Sequence, residues 1–321
     1  MKNILITGGA GFIGYNLARD ILNKNDDIFV ISVDNMNDYY EISLKRDRIN
    51  QLTAYENFKF IEMDISSKEI DDLFKKYKFD HVVNLAAQAG VRYAKEDPDS
   101  YITSNINGFY NIVEVAAKYK VKSFIYASSS SVYGANDKLP YKETDHTGTP
   151  MSLYAATKIS NEALASAYHY THGLRTIGLR FFNVYGPWGR PDMAYFKWAT
   201  LLLENKVIEL RDSGNMWRDM TYISDVTESI NRLMNTEQNN NKPYVYNIGN
   251  QEPVKISDVL NYLSRKLEKQ ARIKNIPRGL EEPVKTWANT DSLEKVIDFV
   301  PQTDYQSGLD TFIDWYRGYY L

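Results

Sequence analysis

A chain of 321 residues can bury one large core, or a nucleotide-binding domain with a smaller companion. Hydrophobic residues at 43% and charged residues at 25% fit a soluble globular protein, and a net charge of -3, from 38 basic and 41 acidic residues, excludes the basic field of a nucleic-acid binder. The absence of cysteine rules out disulfides, thiolate nucleophiles and thiolate-bound metals.

In chain order, Ile4–Thr7, Ile28–Val33, Phe58–Met63, His81–Leu85, Ser123–Ala127 and Thr176–Phe181 read as strands. They are short, β-branched and apolar on both faces, as in a parallel sheet covered on both sides. Amphipathic segments lie between them, notably Gly11–Leu22, Tyr101–Lys118 and Ser152–Tyr170. This alternation predicts an α/β fold with a Rossmann-type doubly wound parallel sheet. Beyond Asn183 the pattern is broken by Pro187, Gly189 and Pro191. A helix near Ala194–Glu204, strands near Val207–Leu210 and Tyr244–Ile248, and helices near Ile256–Lys269 and Ser307–Tyr316 predict a smaller C-terminal α/β region. The expected division is 1–182, with later returns of the chain, and 183–321. No apolar run approaches the ~18 residues of a membrane span. Met1–Ile6 leads straight into a strand without the form of a signal peptide, so a cytoplasmic protein is expected. His81, His146, His169 and His172 show no H-E-x-x-H spacing, and no metal site is expected.

The first strand runs into Gly8-Gly9-Ala10-Gly11-Phe12-Ile13-Gly14. Gly8 permits a tight turn, Gly11 lets a pyrophosphate approach the free N–H groups of a helix start, including those of Phe12 and Ile13, and Gly14 allows helix and strand to pack closely. Asp34, followed by Asn35, ends the second strand, where an acid accepts both hydroxyls of an adenine ribose and repels a 2′-phosphate. The cofactor is therefore expected to be NAD. Asp64 and Ile65, after the third strand, suit an adenine edge; Leu85, Ala86 and Ala87, after the fourth, suit backbone lining the cofactor. Either group could instead be strand-end packing.

A tyrosine four residues before a lysine on one helix places phenol and ammonium on the same face, where the cation favours phenolate. Among 25 tyrosines the spacing occurs at Tyr55/Lys59, Tyr154/Lys158 and Tyr262/Lys266. The first runs into a strand and the third lies far along the chain from the nucleotide fold. Tyr154/Lys158 opens the helix after the fifth strand and follows Ser128-Ser129-Ser130-Ser131 at that strand's end, where ligands of open α/β sheets gather. Arg218 and Arg278 are candidates for a diphosphate, because a guanidinium binds phosphate oxygens bidentately; each could also be a solvated surface arginine.

These residues, with Asn105–Gly108, Ser131–Gly134, Arg180–Gly186, Arg218–Tyr222 and Tyr246–Asn250, resemble the extended short-chain dehydrogenase/reductases, specifically the NAD-dependent sugar epimerase/dehydratase family. Asp34–Tyr40, Ala87–Tyr93 and Gly186–Met193 are similar to segments of its UDP-glucuronate 4-epimerases. The resemblance covers nearly the whole chain. It implies a cycle in which Tyr154 takes the proton of the sugar 4-hydroxyl while C4 gives hydride to NAD. Lys158 would hold the nicotinamide ribose, and Ser129 would bond the reacting oxygen. The 4-keto sugar would then turn over and regain hydride on its other face. The resemblance also implies cofactor contacts at Asn105 and Phe181, and substrate contacts at Gln88, Arg92, Ser130, Asn183 and Arg190. Residues 183–321 become mainly a nucleotide-sugar-binding region, and a homodimer through Tyr101–Lys118 and Ser152–Tyr170 is expected.

The family's 4,6-dehydratases carry an Asp-Glu pair where this chain has only serines, so elimination is not expected. For a uronate, Arg190, Ser129 and Ser130 would hold the carboxylate near the plane of the 4-keto group, where carbon dioxide cannot leave. The chain departs from the glucuronate group at Asn183, where that group has Thr, and from the family over Gly279–Asn289, longer by about two residues on that resemblance. Alternatives are a neutral UDP-hexose or N-acetylhexosamine epimerase, a nucleotide-sugar decarboxylase or reductase, and a non-catalytic binding protein.

Overall fold

A computed structural model of the chain describes residues 1–237 and 239–321. The elements run β1 (Lys2–Thr7), α1 (Phe12–Lys24), β2 (Ile28–Asp34), α2 (Ile42–Leu52), β3 (Phe58–Glu62), α3 (Ile70–Tyr77), β4 (His81–Asn84), α4 (Pro98–Tyr101), α5 (Phe109–Lys118), β5 (Ser123–Ser129), α6 (Leu153–His172) and β6 (Thr176–Phe181). There follow β7 (Asn183–Tyr185), α7 (Ala194–Leu203), β8 (Val207–Arg211), β9 (Trp217–Tyr222), α8 (Ile223–Asn235), β10 (Tyr244–Ile248), β11 (Pro253–Lys255), α9 (Ile256–Lys266), β12 (Arg272–Ile276), β13 (Lys285–Thr286), α10 (Asp291–Ile297) and α11 (Tyr305–Tyr320).

The chain forms two compact units. The first comprises 1–136, 143–181 and 230–246; the second comprises 137–142, 182–229 and 247–321. In the first, a seven-stranded sheet has the order β10-β6-β5-β4-β1-β2-β3, and neighbours from β6 through β3 are parallel. The chain winds outward from β1 through β2 to β3, then starts again on the other side with β4. The reversal leaves a crevice outside the carboxyl ends of β1 and β4. All six expected strands form within a residue or two. β10 is a correction: the Tyr244–Ile248 strand, expected in the smaller region, is the edge of this large sheet beside β6. Pairing with a distant strand decided its place.

The expected helix Tyr101–Lys118 is also interrupted. Asp97 caps α4 by accepting from the Ser100 N–H at 3.3 Å, Pro98 supplies the preset first turn, and Ile102–Gly108 then widen into a π-helical stretch before α5. α6 starts on Ser152, whose side chain accepts from the Ala155 N–H at 3.1 Å, and stops at Gly173, which takes φ +69°.

In the second unit β9 pairs with β7, β11 and β13, while β8 and β12 form a separate parallel pair. Its core is rich in rings, with Phe196, Phe312 and Tyr316 buried between α7 and α11.

Candidate active site

The glycine turn sits directly on the β4 exit. A Cβ at Gly8 would lie 2.7 Å from the Ala86 nitrogen, and one at Gly14 would lie 2.2 Å from the Gly8 carbonyl oxygen. Neither fits, so glycine is required at both positions. Gly11 caps α1 without a side-chain hydrogen bond, leaving the helix start to its backbone donors. Thr7 ties the two exits together: its hydroxyl donates to Asn84 Oδ1 at 2.6 Å and accepts from the Ala86 N–H at 3.2 Å. Leu85, Ala86 and Ala87 are half-buried along this line, Phe12 is buried and Ile13 half-buried.

Asp34 is 9% exposed, and its carboxylate accepts from the N–H groups of Ala10 at 3.2 Å and Met36 at 2.9 Å. Beside it, Asn35 donates to Asp64 at 2.7 Å. Burial would raise the Asp64 carboxyl, but hydrogen bonds from Ser66 and Asn35 outweigh it and hold the group below the usual carboxylate range. Ile65 lies in the core with its side chain against Gly108, where a Cβ would come within 2.7 Å. Phe181 is buried at the end of β6.

Of the three Tyr-x-x-x-Lys pairs, only Tyr154/Lys158 has the setting of a base. The Lys158 Nζ lies 5.8 Å from the Tyr154 ring centroid and donates to the Ala127 carbonyl at 2.9 Å, two residues before Ser129. Burial pushes the ammonium down to about 8. Tyr262 instead donates to Asp310 at 2.8 Å, Lys266 binds the same carboxylate at 2.8 Å, and burial together with that anion raises the phenol. Lys59 lies on β3 over the Tyr77 ring, not beside Tyr55 on a helix.

Ser129 ends β5 8% exposed, its hydroxyl accepting from the Ser131 N–H at 3.1 Å; Ser130 is half-buried. Behind them is a network that sequence reading missed. Glu162, one turn beyond Lys158, takes both ends of the Arg180 fork at 2.9 and 2.8 Å and accepts from the Ser128 hydroxyl at 2.5 Å. Arg180 also donates to the Tyr133 hydroxyl at 3.0 Å. Burial opposes its charge, but Glu162 outweighs this and holds the guanidinium above its ordinary value. The signal available in the sequence was the i, i+4, i+8 row Tyr154, Lys158, Glu162.

Two residues expected to meet ligands make contacts within the protein. Asn105, the expected cofactor contact, bonds the loop after β4 and α6: Oδ1 accepts from the Gln88 N–H at 2.8 Å, while Nδ2 donates to the Gln88 carbonyl at 3.0 Å and the Thr157 hydroxyl at 3.1 Å. Its π-helical position turns it onto the loop after β4. Arg190, the expected carboxylate partner, pairs with the exposed Asp192 two residues on, at 2.9 and 2.5 Å. Gln88 is 5% exposed, and its buried Nε2 has no hydrogen-bond partner. Arg92 is exposed.

In the second unit Asn183 is half-buried on β7. Arg218 on β9 is anchored through Nη1 on the carbonyls of Trp217 at 2.8 Å and Val284 at 3.3 Å, and Arg278 on the carbonyl of Glu282. The fully buried Asp219 carboxylate gathers the N–H groups of Asn250, Gln251 and Ala288 with the Thr221 hydroxyl, pinning three segments around Arg218.

A doubly wound sheet with a glycine turn at its reversal and a buried lysine beneath a helical tyrosine defines a nucleotide-dependent oxidoreductase-type site. The chain belongs to the NAD dependent epimerase/dehydratase family, whose model matches residues 4–249. Protein CapI of Staphylococcus aureus is 45% identical, the match covering 99% of both chains. UDP-glucuronate 4-epimerase 4 of Arabidopsis thaliana is 42% identical over 99% of this chain and 76% of its own length. The crystal structure of UDP-glucuronic acid 4-epimerase from Bacillus cereus, in complex with UDP-glucuronic acid and NAD, superposes with a TM-score of 0.93 at 32% identity, covering 99% of this chain and all 100% of that one.

Proposed function

We propose that this chain epimerises UDP-glucuronate and UDP-galacturonate at C4. The observation that carries this reading is the buried Lys158 ammonium beneath the Tyr154 ring, one helical turn away and bonded to the strand that ends in Ser129. The glycine turn at Gly8, Gly11 and Gly14, too tightly packed for side chains, opens α1 with free backbone donors, and Asp34 bonds the Ala10 N–H beside it; this arrangement fits NAD. Bound there, NAD supplies the hydride acceptor and donor. Tyr154, as phenolate, accepts the proton of the 4-hydroxyl, and Lys158 stabilises that phenolate by its charge. Ser129 donates to the reacting oxygen. When the keto sugar has turned its other face, Tyr154 returns the proton to the 4-oxygen. Substrate and product are isomers, so no net oxidation occurs.

For the uronate carboxylate we assign Ser129, Ser130 and Arg190, whose exposed partner Asp192 the substrate carboxylate would displace, with Gln88 as a further contact. We assign the diphosphate to Arg218 and Arg278, with Asn183 as an additional donor. Incubation with UDP-glucuronate, UDP-glucose and UDP-N-acetylglucosamine in parallel, read by proton NMR, tests the assignment: only the first should equilibrate with its 4-epimer. Preferential conversion of a neutral sugar would replace it with the second reading, for which the commitment of Arg190 to Asp192 is the supporting observation. Relatives of known structure include the Thermus thermophilus UDP-glucose 4-epimerase, at 26% identity.

Lys158 makes the reading testable by pH. Its folded value, about 8, lies below the ordinary 10.5. Below pH 8 both folded and unfolded chains carry the proton, and the buried charge costs stability. Between 8 and 10.5 the folded chain releases it first, so this group's stability term improves as pH rises. Activity moves the other way, because a neutral amine no longer favours phenolate. Turnover is expected to decline above about pH 8, while the stability difference between wild type and Lys158→Met shifts in favour of wild type over the same range. A flat turnover profile to about pH 10 would show that Lys158 keeps its proton over this range, as at its ordinary 10.5.

A homodimer through α5 and α6 is also part of this proposal, supported by Ile102 and Tyr110 standing 44% and 42% exposed along the helical segment that ends in α5. Light scattering that returns the mass of one chain would reject it. Among the described residues no helix is long and apolar enough to cross a membrane. A cytoplasmic site of action is part of the proposal, which cell fractionation would test.

A further inference from the structure

The loop after β4, Gln88–Arg92, has no secondary structure of its own, yet it is gripped from several sides. Asn105 holds both main-chain groups of Gln88. Four residues earlier, the fully buried Tyr101 donates its hydroxyl to the carbonyls of Ala89, at 3.2 Å, and Gly90. Gly90 has φ +106°, and a Cβ there would lie 2.9 Å from the Tyr39 hydroxyl. The Tyr39 ring packs on Tyr93 at 4.7 Å, so the segment after Asp34 closes the loop's other side. Tyr101 also faces the catalytic helix: its ring meets Tyr154 edge to face, centroids 6.3 Å apart at 83°. Asn105 repeats the pattern, reaching Thr157 with its side chain and accepting from Asn161 with its carbonyl at 2.6 Å. One side of this helical segment therefore holds the loop and α6 together.

We propose that Tyr101 is a positioning residue that sets the Gln88–Arg92 loop and the Tyr154 phenol in register. The hydroxyl places the main chain that carries Gln88, and the ring edge restricts the Tyr154 ring, as edge-to-face pairs do. Seating of the sugar and aim of the base are thereby fixed by one fully buried side chain. The inference rests on the functional reading above, in which the loop faces the sugar and Tyr154 is the base.

The two halves of Tyr101 separate by substitution. In NAD-loaded enzyme, Tyr101→Phe keeps the ring and loses the hydroxyl. It should raise KM for UDP-glucuronate about fivefold, the scale of one lost hydrogen bond, with kcat within about twofold. Tyr101→Leu removes the ring edge as well and should lower kcat by about tenfold further, with NAD content unchanged. A merely structural role would reduce the folded fraction and leave the KM and kcat of the folded enzyme alone. Calorimetry of UDP-glucuronate binding gives a readout free of turnover. Wild-type protein that binds but does not epimerise would defeat the functional reading, whereas Tyr101→Phe binding with wild-type affinity overturns this proposal. If Tyr101→Leu does not fold, Tyr101→Phe decides the role of the hydroxyl, and Tyr101→Met, closer in volume, takes the place of Tyr101→Leu as the test of the ring.

Discussion

Tyr154→Phe is expected to lower kcat by about a hundredfold to ten-thousandfold, the range supplied by a positioned acid–base group. The substitution removes one oxygen and keeps the ring that rests against Tyr101 and above Lys158, so the local packing survives. Binding should survive with it: UDP-glucuronate affinity and NAD content are expected within about threefold of wild type, because proton transfer is used in the transition state and little in the ground state. Single-turnover and steady-state assays on the same preparation separate these effects. Retention of more than about a tenth of the wild-type rate would mean that another group moves the proton.

The largest effect on stability is expected at Glu162, which no step of the chemistry uses. Glu162→Ala leaves the Arg180 guanidinium, its side chain 5% exposed, without its anion, and deprives the Ser128 hydroxyl of its acceptor. Breaking a buried pair on one side costs about 3–5 kcal/mol, a large part of the ~5–15 kcal/mol that holds a domain folded. Glu162→Gln keeps an acceptor for both partners and should cost less. Urea unfolding should show the midpoint fall at constant slope. Turnover should fall as well, because this network fixes α6, one turn from Lys158, against β5, one residue from Ser129. A Glu162→Ala protein within about 1 kcal/mol of wild type would show that solvent or a neighbour already compensates Arg180.

The two experiments address different kinds of information. The Tyr154/Lys158 pair was legible because its geometry is local: four residues on one helix place the groups together whatever the rest of the chain does. Its competitors could be set aside only in part. Tyr55/Lys59 failed on the strand that follows, but the occupation of Tyr262 and Lys266 by Asp310 depends on α11 packing beside α9, 44 residues after the lysine. The Ser128–Glu162–Arg180 network escaped notice for the same reason, since its members stand on three elements that meet only in the folded sheet. Asn105 was noticed as a cofactor candidate, but its bonds to the Gln88 main chain and to Thr157 join segments 17 and 52 residues apart and could not be read locally.

The sequence alone determined the alternation of strands and helices, the glycine turn with its acid at the end of the next strand, and the helical tyrosine–lysine pair. These are set by side-chain period, steric demand at glycine and i, i+4 spacing, all of which act over a few residues. Tertiary structure alone decided that Tyr244–Ile248 borders the large sheet, that Arg180 finds Glu162 and Ser128 beside it, and that Tyr101 and Asn105 grip the Gln88–Arg92 loop. Such outcomes depend on which buried donor finds which acceptor across long stretches of chain, and that competition is settled only when the core closes.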